Sequence, residues 1–191
     1  RKVGIERQKT KRQYIEILKK IKINEGSKFI SIEPLKNNLN IDFEIVYKNS
    51  PLIKSQKKSF NIYKDNLNAV YNSRTFCLYE DIDKIKSMGL AKGGSLDNAI
   101  VVQNDKVLNK EGLRYKDEFV MHKILDCMGD LMLSKYRLFG SVVCTQGGHQ
   151  LTNQLLKKIF SSTDNWKVIL SQPQKPSFSE AIDVKPIAVN A

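Results

Sequence analysis

The sequence predicts an α+β protein, with an antiparallel sheet, helices packed on one face of it and a small β-α-β insert. Two patterns support this prediction. Residues 11–63 alternate apolar and polar positions with a period of two, as strands do, whereas residues 117–135 repeat apolar positions at the helical period. At 191 residues, the chain is long enough to bury one hydrophobic core together with a small subdomain.

Residues 11–63 are predicted to form an antiparallel meander. The run QYIEILKKIKI is followed by the turn residues NEGS and by KFISIEP. The segment NIDFEIVY places Ile41, Phe43 and Ile45 on one side of a strand. The segment KSFNIY is predicted to be a further strand of the same meander.

From residue 64 onward, short helices and strands are predicted to alternate. KDNLNAVYNSR and EDIDKIKSM are predicted helices, and Gly89 ends the second. NAIVVQ and RLFGSVVCTQ are predicted strands, and the turn-rich DKVLNKEGLRY leads into the helix of residues 117–135. A last helix begins in GGHQLTNQLLKKIF. Residues 1–10 are interpreted as a basic linker, and residues 172–191 as a loose tail rich in Pro, Ser and Gln.

The composition argues against several protein classes. No apolar run approaches 18 residues, so we expect no stable membrane insertion. Three cysteines without a C-x-x-C spacing argue against a disulfide scaffold or a zinc knuckle and favour a reducing compartment. The net charge is +12, but the basic residues are mostly scattered Lys rather than clustered Arg, so we expect no nucleic-acid partner. The alternative function that this composition allows is a Lys-rich α+β binding module for RNA or acidic lipid without catalysis.

The helix predicted over residues 117–135 carries polar side chains at regular steps. His122, Asp126 and Asp130 follow each other at four-residue intervals and therefore fan over roughly 80° of one face, with Lys123 beside them. His and Asp at this spacing are often only a solvated surface pair. Alternatively, His122 and Asp126 can converge on one ion as two of the three protein ligands of a catalytic zinc.

His149 follows two glycines at the start of the last predicted helix. The free N–H groups at a helix start disfavour a cationic imidazole unless an acid compensates, and Asp130 is a candidate for that acid. A plain surface histidine is the alternative. The run GLAKGGS, from Gly89 to Ser95, lacks the Gly-Lys-Ser/Thr ending of a phosphate-binding loop and is expected to be a flexible turn.

Three segments resemble the UDP-3-O-acyl-N-acetylglucosamine deacetylase family, zinc enzymes of early lipid A synthesis in Gram-negative bacteria. They are SRTFCLYEDIDKIKSMGLAKGGSLDNAIVV, VLNKEGLRYKDEFVMHKILDCMGDL and GGHQLTNQLL. The resemblance runs in order over roughly residues 73–160, and the block H-K-x-L-D-x-x-G-D is specific. The family has two similar α+β domains that enclose the active site. Residues 11–171 resemble the second, carboxy-terminal domain, which makes the first domain an expected partner.

The resemblance implies a metal site and a site that binds the anionic part of the substrate. His122 and Asp126 match the family's His and Asp that bind Zn2+. Lys123 matches the neighbouring lysine, which meets the anionic part of the substrate. The implied reaction is hydrolysis of the N-acetyl group of UDP-3-O-acyl-N-acetylglucosamine, which releases acetate. The implied location is cytoplasmic, near the inner membrane surface.

The resemblance also implies proton transfer and oxyanion binding. Asp130 matches the Asp that orients and charges the family's catalytic His, here His149. That histidine assists the tetrahedral intermediate and protonates the leaving amine. Thr75 matches the threonine whose hydroxyl helps to hold the developing oxyanion.

A further implication concerns the acyl chain of the substrate. Residues 77–102 match a family insert that forms a hydrophobic passage, although an ordinary core is an alternative use for the same apolar residues. Buried chain methylenes contribute about 0.8 kcal/mol each, so such a passage is a reasonable specificity device. The expected substrate-binding residues are Phe76, Ile82, Gly94, Ser95 and Ala99.

The chain departs from the family pattern at two positions and lacks one motif. Cys77 stands where Gly is expected, and Gly147 replaces a common Ser. The family's remaining zinc ligand and its general-base Glu belong to a His-containing motif of the first domain. That motif has no counterpart here, because His122 and His149 are the only histidines of the chain.

Overall fold

A computed structural model describes residues 12–171, so the linker and tail predicted for residues 1–10 and 172–191 lie outside the described residues. The strands are β1 (Arg12–Ile17), β2 (Ile21–Glu25), β3 (Lys28–Glu33), β4 (Leu39–Tyr47), β5 (Lys54–Asn61), β6 (Thr75–Leu78), β7 (Ala99–Gln103), β8 (Lys106–Val107), β9 (Arg137–Thr145) and β10 (Trp166–Ser171). The helices are α1 (Asn68–Tyr71), α2 (Ile82–Ser87), α3 (Glu118–Leu131) and α4 (His149–Phe160).

Seven strands form the main sheet, in the order β10-β1-β9-β3-β2, with β4 joined to β9 and β5 joined to β4. The central strand β9 pairs antiparallel with β3 and parallel with both β1 and β4. The α+β class is confirmed, and the sheet is antiparallel except for these two parallel pairings. The β2–β3 and β4–β5 hairpins occur as expected. The meander predicted over residues 11–63 is nevertheless wrong, because β3 and β4 each pair with β9 instead of with each other.

Two further strand assignments differ from the sequence prediction. The run QYIEILKKIKI forms two strands, β1 and β2. Ile15 and Ile17 of β1 are buried in the core, whereas Leu18, just after β1, is exposed. No strand was predicted for Trp166–Ser171, which forms β10 and pairs antiparallel with β1. This edge pairing depends on two segments at opposite ends of the domain, so neither segment signals it alone.

Helices α3 and α4 pack against the main sheet and against each other. α3 contacts β4 and β5, whereas α4 contacts β2 and β3. Each fully buried aliphatic or aromatic side chain in this layer stabilises the fold by about 1.5–3 kcal/mol. The layer fixes the orientation of α3, and therefore of its polar face. Its largest buried side chains include Ile30, Ile32, Ile41, Phe43, Phe119, Ile124 and Leu131.

The end of α3 lies close to the predicted position. The α-helix ends at Leu131 and continues as one 3₁₀ turn, Met132–Ser134. Lys135 then adopts a left-handed conformation with φ of 65°, which stops the helix. None of the helices between residues 12 and 171 is long and apolar enough to cross a bilayer.

The small β-α-β insert is also confirmed. β6 and β7 pair in parallel, α2 lies between them in the chain, and β8 adds an antiparallel strand beside β7. Thr75 lies directly opposite Ala99 in this pairing. Phe76 packs edge-on against Phe119 of α3, with ring centroids 5.0 Å apart, which joins the insert to the main layer.

Candidate active site

Helix α3 presents a row of polar side chains that are largely withdrawn from water. His122 is 14% exposed, Asp126 18% and Asp130 16%. Lys123 lies beside them and is 24% exposed. A solvated surface pair, which the spacing alone also allowed, would be far more exposed. The row is therefore a partly desolvated cluster on a rigid helix.

His122 is held between a backbone carbonyl and a carboxylate. Its Nδ1 lies 3.3 Å from the carbonyl oxygen of Ser73, which can only accept, so this contact requires the proton on Nδ1. Burial lowers the pKa of His122 from its ordinary value of 6.5, although the Asp126 charge and the Ser73 contact oppose this effect. The neutral imidazole then carries a lone pair on Nε2. That nitrogen lies 3.3 Å from Oδ1 of Asp126.

The facing atoms of His122 and Asp126 have the spacing of two ligands of one metal ion. Two lone-pair atoms face each other stably only with a proton or a cation between them. Zinc ligands at about 2.0–2.2 Å and a tetrahedral angle lie about 3.4 Å from each other, close to the observed separation. Imidazole nitrogen and carboxylate oxygen are both ordinary zinc ligands. Among the described residues, no third His, Cys, Asp or Glu completes a metal-binding group with this pair.

Lys123 contacts the second carboxylate oxygen of Asp126. Its Nζ donates to Oδ2 at 3.1 Å and also lies 5.8 Å from the centre of the Phe76 ring, within range of a cation–π interaction. Phe76 in turn packs edge-on against Tyr47, with centroids 5.8 Å apart. The ammonium group therefore lies where the insert meets α3, next to the candidate metal ligands.

His149 and Asp130 form a second pair across α3 and α4. Nδ1 of His149 lies 2.9 Å from Oδ1 and 3.0 Å from Oδ2 of Asp130. The carboxylate can only accept when ionised, so Nδ1 carries a proton. The His149 side chain is 70% exposed, and it is the first residue of α4. The negative charge of Asp130 offsets the unfavourable field that the helix start imposes on a cationic imidazole.

The other predicted residues lie in or beside the insert. Thr75 is exposed at the start of β6, opposite the half-buried Ala99. Ile82 is half-buried at the start of α2. Gly94 and Ser95 lie on an exposed turn before β7, where the Ser95 amide donates to the side chain of Asn98. Thr75 and Ala99 therefore lie side by side at the starts of β6 and β7, whereas Gly94 and Ser95 lie on the exposed turn before β7.

Apolar side chains of the insert are partly open to solvent. Among the apolar residues of the range 77–102, Val101 is buried, Ile85 is half-buried, and Leu90 and Leu96 are exposed. An open cleft of about 750 Å³ lies between the insert and the main sheet. Its lining includes Tyr47, Leu78, Glu80, Asp81, Thr145 and Gln146.

A buried ion pair that the sequence pattern did not predict lies beside the site. Glu118 is fully buried one helical turn before His122, and Arg74 is 4% exposed. The carboxylate accepts from Nε of Arg74 at 3.0 Å and from the backbone N–H of Arg114 at 2.7 Å. Burial raises the pKa of Glu118, but these hydrogen bonds outweigh it and leave the pKa below its usual value. The four-residue spacing could have indicated Glu118, because Glu118 lies four residues before His122 on the same helix face.

The glycine before the Gly-His pair is explained by a close approach. A Cβ at Gly147 would overlap Sγ of Cys144, so a larger residue fits only if this buried thiol moves. Burial raises the pKa of Cys144 to about 12, although a hydrogen bond from the Gly147 backbone lowers it. The residue at position 147 is therefore limited by the side chain at position 144.

The family model and the known proteins that this chain matches agree on one family. A family model described as UDP-3-O-acyl N-acetylglycosamine deacetylase matches residues 1–161. A UDP-3-O-acyl-N-acetylglucosamine deacetylase of Haemophilus ducreyi is 40% identical over 169 residues, which are 87% of this chain and 55% of that protein. Relatives with the same name occur in a Psychrobacter species (40% identical, 87% of this chain and 56% of theirs) and in Campylobacter fetus (38% identical, 86% and 55%). The chain spans about half the length of the curated relatives it matches.

Proposed function

The chain belongs to the UDP-3-O-acyl N-acetylglycosamine deacetylase family, and we propose that it supplies one half of the active site of such a deacetylase. The proposed reaction is hydrolysis of the N-acetyl group of UDP-3-O-acyl-N-acetylglucosamine in lipid A biosynthesis. One observation supports it most directly. Nε2 of His122 and Oδ1 of Asp126 lie 3.3 Å apart in a partly desolvated recess, as two ligands of one ion would.

In this proposal, His122 and Asp126 hold Zn2+. A bound zinc ion would supply an electrophile for the amide carbonyl and acidify a water molecule. The protein's own contribution is preorganisation. The Ser73 carbonyl keeps the proton of His122 on Nδ1, and Lys123 holds the outer oxygen of Asp126. Both ligand atoms are therefore oriented before an ion arrives.

His149 is the proposed general acid. Asp130 accepts from its Nδ1, favours the cationic imidazole and leaves Nε2 to carry the proton that the departing glucosamine nitrogen needs. The hydroxyl of Thr75 is a donor for the oxyanion of the tetrahedral intermediate. Lys123 would exchange part of its contact with Asp126 for the anionic part of the substrate.

The insert, about residues 77–102, is the proposed acyl-binding element of a catalytic domain that covers residues 11–171. Phe76, Ile82 and Ala99 would contact the acyl chain, and Gly94 and Ser95 would border it. Since the chain spans about half the length of its relatives, we propose that the remaining half brings the third zinc ligand and the general base. We propose that the reaction takes place in the cytoplasm, near the inner membrane surface.

The test uses the full-length gene product with alanine at His122 or Asp126. Zinc content after dialysis and acetate release from the UDP-sugar substrate are both expected to fall strongly in each variant. Lys58→Ala, which removes only a half-exposed contact with Asp117 at the start of α3, serves as the matched control. Unchanged zinc content in both site variants would contradict the proposal and favour a non-catalytic binding module.

A further inference from the structure

The peptide group between Ser73 and Arg74 spans one turn of helix α3. Its N–H donates to Oε1 of Glu118 at 3.0 Å, and its carbonyl oxygen lies 3.3 Å from Nδ1 of His122. Glu118 and His122 are four residues apart on the helix, a rise of about 6 Å. A trans peptide group is planar, and its N–H and C=O point in opposite directions. Anchoring the N–H on Glu118 therefore aims the carbonyl at His122.

The side chain of Arg74 also binds Glu118 and so stabilises this arrangement further. Its Nε donates to Oε1 of Glu118 at 3.0 Å and its Nη2 to Oε2 at 3.2 Å, which is the two-pronged contact that a guanidinium makes with a carboxylate. Nη2 also donates to the carbonyl of Gly112 at 2.7 Å. The same residue thus binds Glu118 through its backbone and its side chain, so the peptide group cannot rotate without breaking several buried hydrogen bonds.

We propose that Arg74 and Glu118 are positioning residues that select the tautomer of His122. They hold the Ser73 carbonyl against Nδ1, which keeps the proton there and leaves the lone pair on Nε2, facing Asp126. This inference rests on the proposed role of His122 as a metal ligand. A carbonyl or carboxylate that accepts from the far ring nitrogen is a common way to orient such a ligand.

A purely stabilising role would not need this pair. Because desolvation offsets much of the attraction between buried charges, apolar residues of similar volume stabilise a core equally well. Apolar residues could not, however, accept the backbone N–H of Arg74. That bond sets the direction of the Ser73 carbonyl, so the pair and the tautomer of His122 are linked.

The experiment measures the tautomer directly in the metal-free full chain. Histidine is labelled with 15N, spectra are recorded at a pH where the imidazoles are neutral, and the His122 signals are identified by their loss in His122→Asn. The test variant is the double replacement Arg74→Met with Glu118→Leu, which leaves no unpaired buried charge. In this double variant, we expect His122 to change from the Nδ1–H form to a mixture with a substantial Nε2–H fraction. Zinc affinity is expected to fall about tenfold or more.

Two further variants keep the outcome decisive. Lys58→Met removes the 2.9 Å contact with Asp117 at the same end of α3 and should leave the tautomer unchanged. Arg74→Lys retains the charge but cannot make the two-pronged contact with Glu118, so we expect a smaller change in the tautomer. This variant is used if the double variant does not fold. A folded Arg74→Met, Glu118→Leu variant, or Arg74→Lys in its place, that keeps His122 fully in the Nδ1–H form would overturn the proposal, even if its melting temperature fell. The tautomer is measured without metal or substrate, so this result is independent of zinc binding and of the deacetylase activity.

Discussion

Both carboxylate oxygens of Asp130 lie within 3.0 Å of Nδ1 of His149, which joins the last turns of α3 to the first residue of α4. Asp130 is mostly buried, whereas the His149 ring is largely exposed. The partly desolvated acid therefore fixes a ring whose far nitrogen can exchange protons with substrate or water. This division of exposure suits a general acid that must be both oriented and accessible.

Replacing Asp130 with Asn should slow catalysis more than it weakens substrate binding. The amide has the same shape but lacks the negative charge that favours a cationic imidazole. We expect kcat of the proposed full-length deacetylase to fall about 10²–10⁴-fold with a much smaller change in KM. Asp164→Asn, at an exposed contact with Lys19, is the control. An unchanged kcat would remove the pair from the mechanism.

How far the site could be predicted depends on whether its contacts are local. His122, Asp126 and Asp130 share one helix face, and the four-residue step is enough to predict that. Glu118 lies on the same step, but its burial depends on Arg74, a residue 44 positions earlier in the chain. Likewise, the hairpins were predictable from adjacent strands, whereas the central place of β9 results from pairings with β1, β3 and β4 that no local pattern encodes.

Introducing a side chain at Gly147 should destabilise the fold through Cys144. Gly147→Ser places a Cβ in the volume of the buried thiol, and overpacking of this kind typically costs about 1–3 kcal/mol. Adding Cys144→Ala should remove the clash and recover part of the loss, which urea unfolding of the two single variants and the double variant would measure. Strictly additive free-energy changes would show that the two positions do not compete for space.

A bulky residue at Ala99 should distinguish an acyl passage from an ordinary core. Ala99 is half-buried opposite Thr75, so Ala99→Trp would obstruct an acyl chain that passes the starts of β6 and β7. We expect kcat/KM to fall more for long-chain than for short-chain substrates. Lys86→Trp, on the exposed side of α2, should leave kcat/KM unchanged for both long-chain and short-chain substrates. Equal losses across chain lengths at position 99 would favour the ordinary core.

The stability contribution of Glu118 should depend on pH. Its pKa in the folded chain lies below the ordinary value of 4.5, so the contribution is fully present above that value and is lost as the pH falls through the folded pKa. Glu118→Gln should therefore lower the free energy of unfolding by about 3 kcal/mol at neutral pH and by progressively less in acid. Denaturant unfolding of both proteins from pH 7 to pH 3 would measure this. A difference that stays constant with pH would contradict the assigned charge state.

The described residues supply two candidate zinc ligands, so the 191-residue chain should bind the ion weakly. Water or buffer would complete the coordination shell, and two protein ligands hold zinc less tightly than the three of a complete catalytic site. We expect much less than one zinc per chain after dialysis and no measurable acetate release. Adding the remaining half of a family member, fused or as a separate chain, should restore both if the halves dock. His122→Ala should abolish that recovery, which separates it from zinc bound elsewhere. Stoichiometric zinc with robust turnover by residues 1–191 alone would mean that a third ligand and a general base lie within this chain.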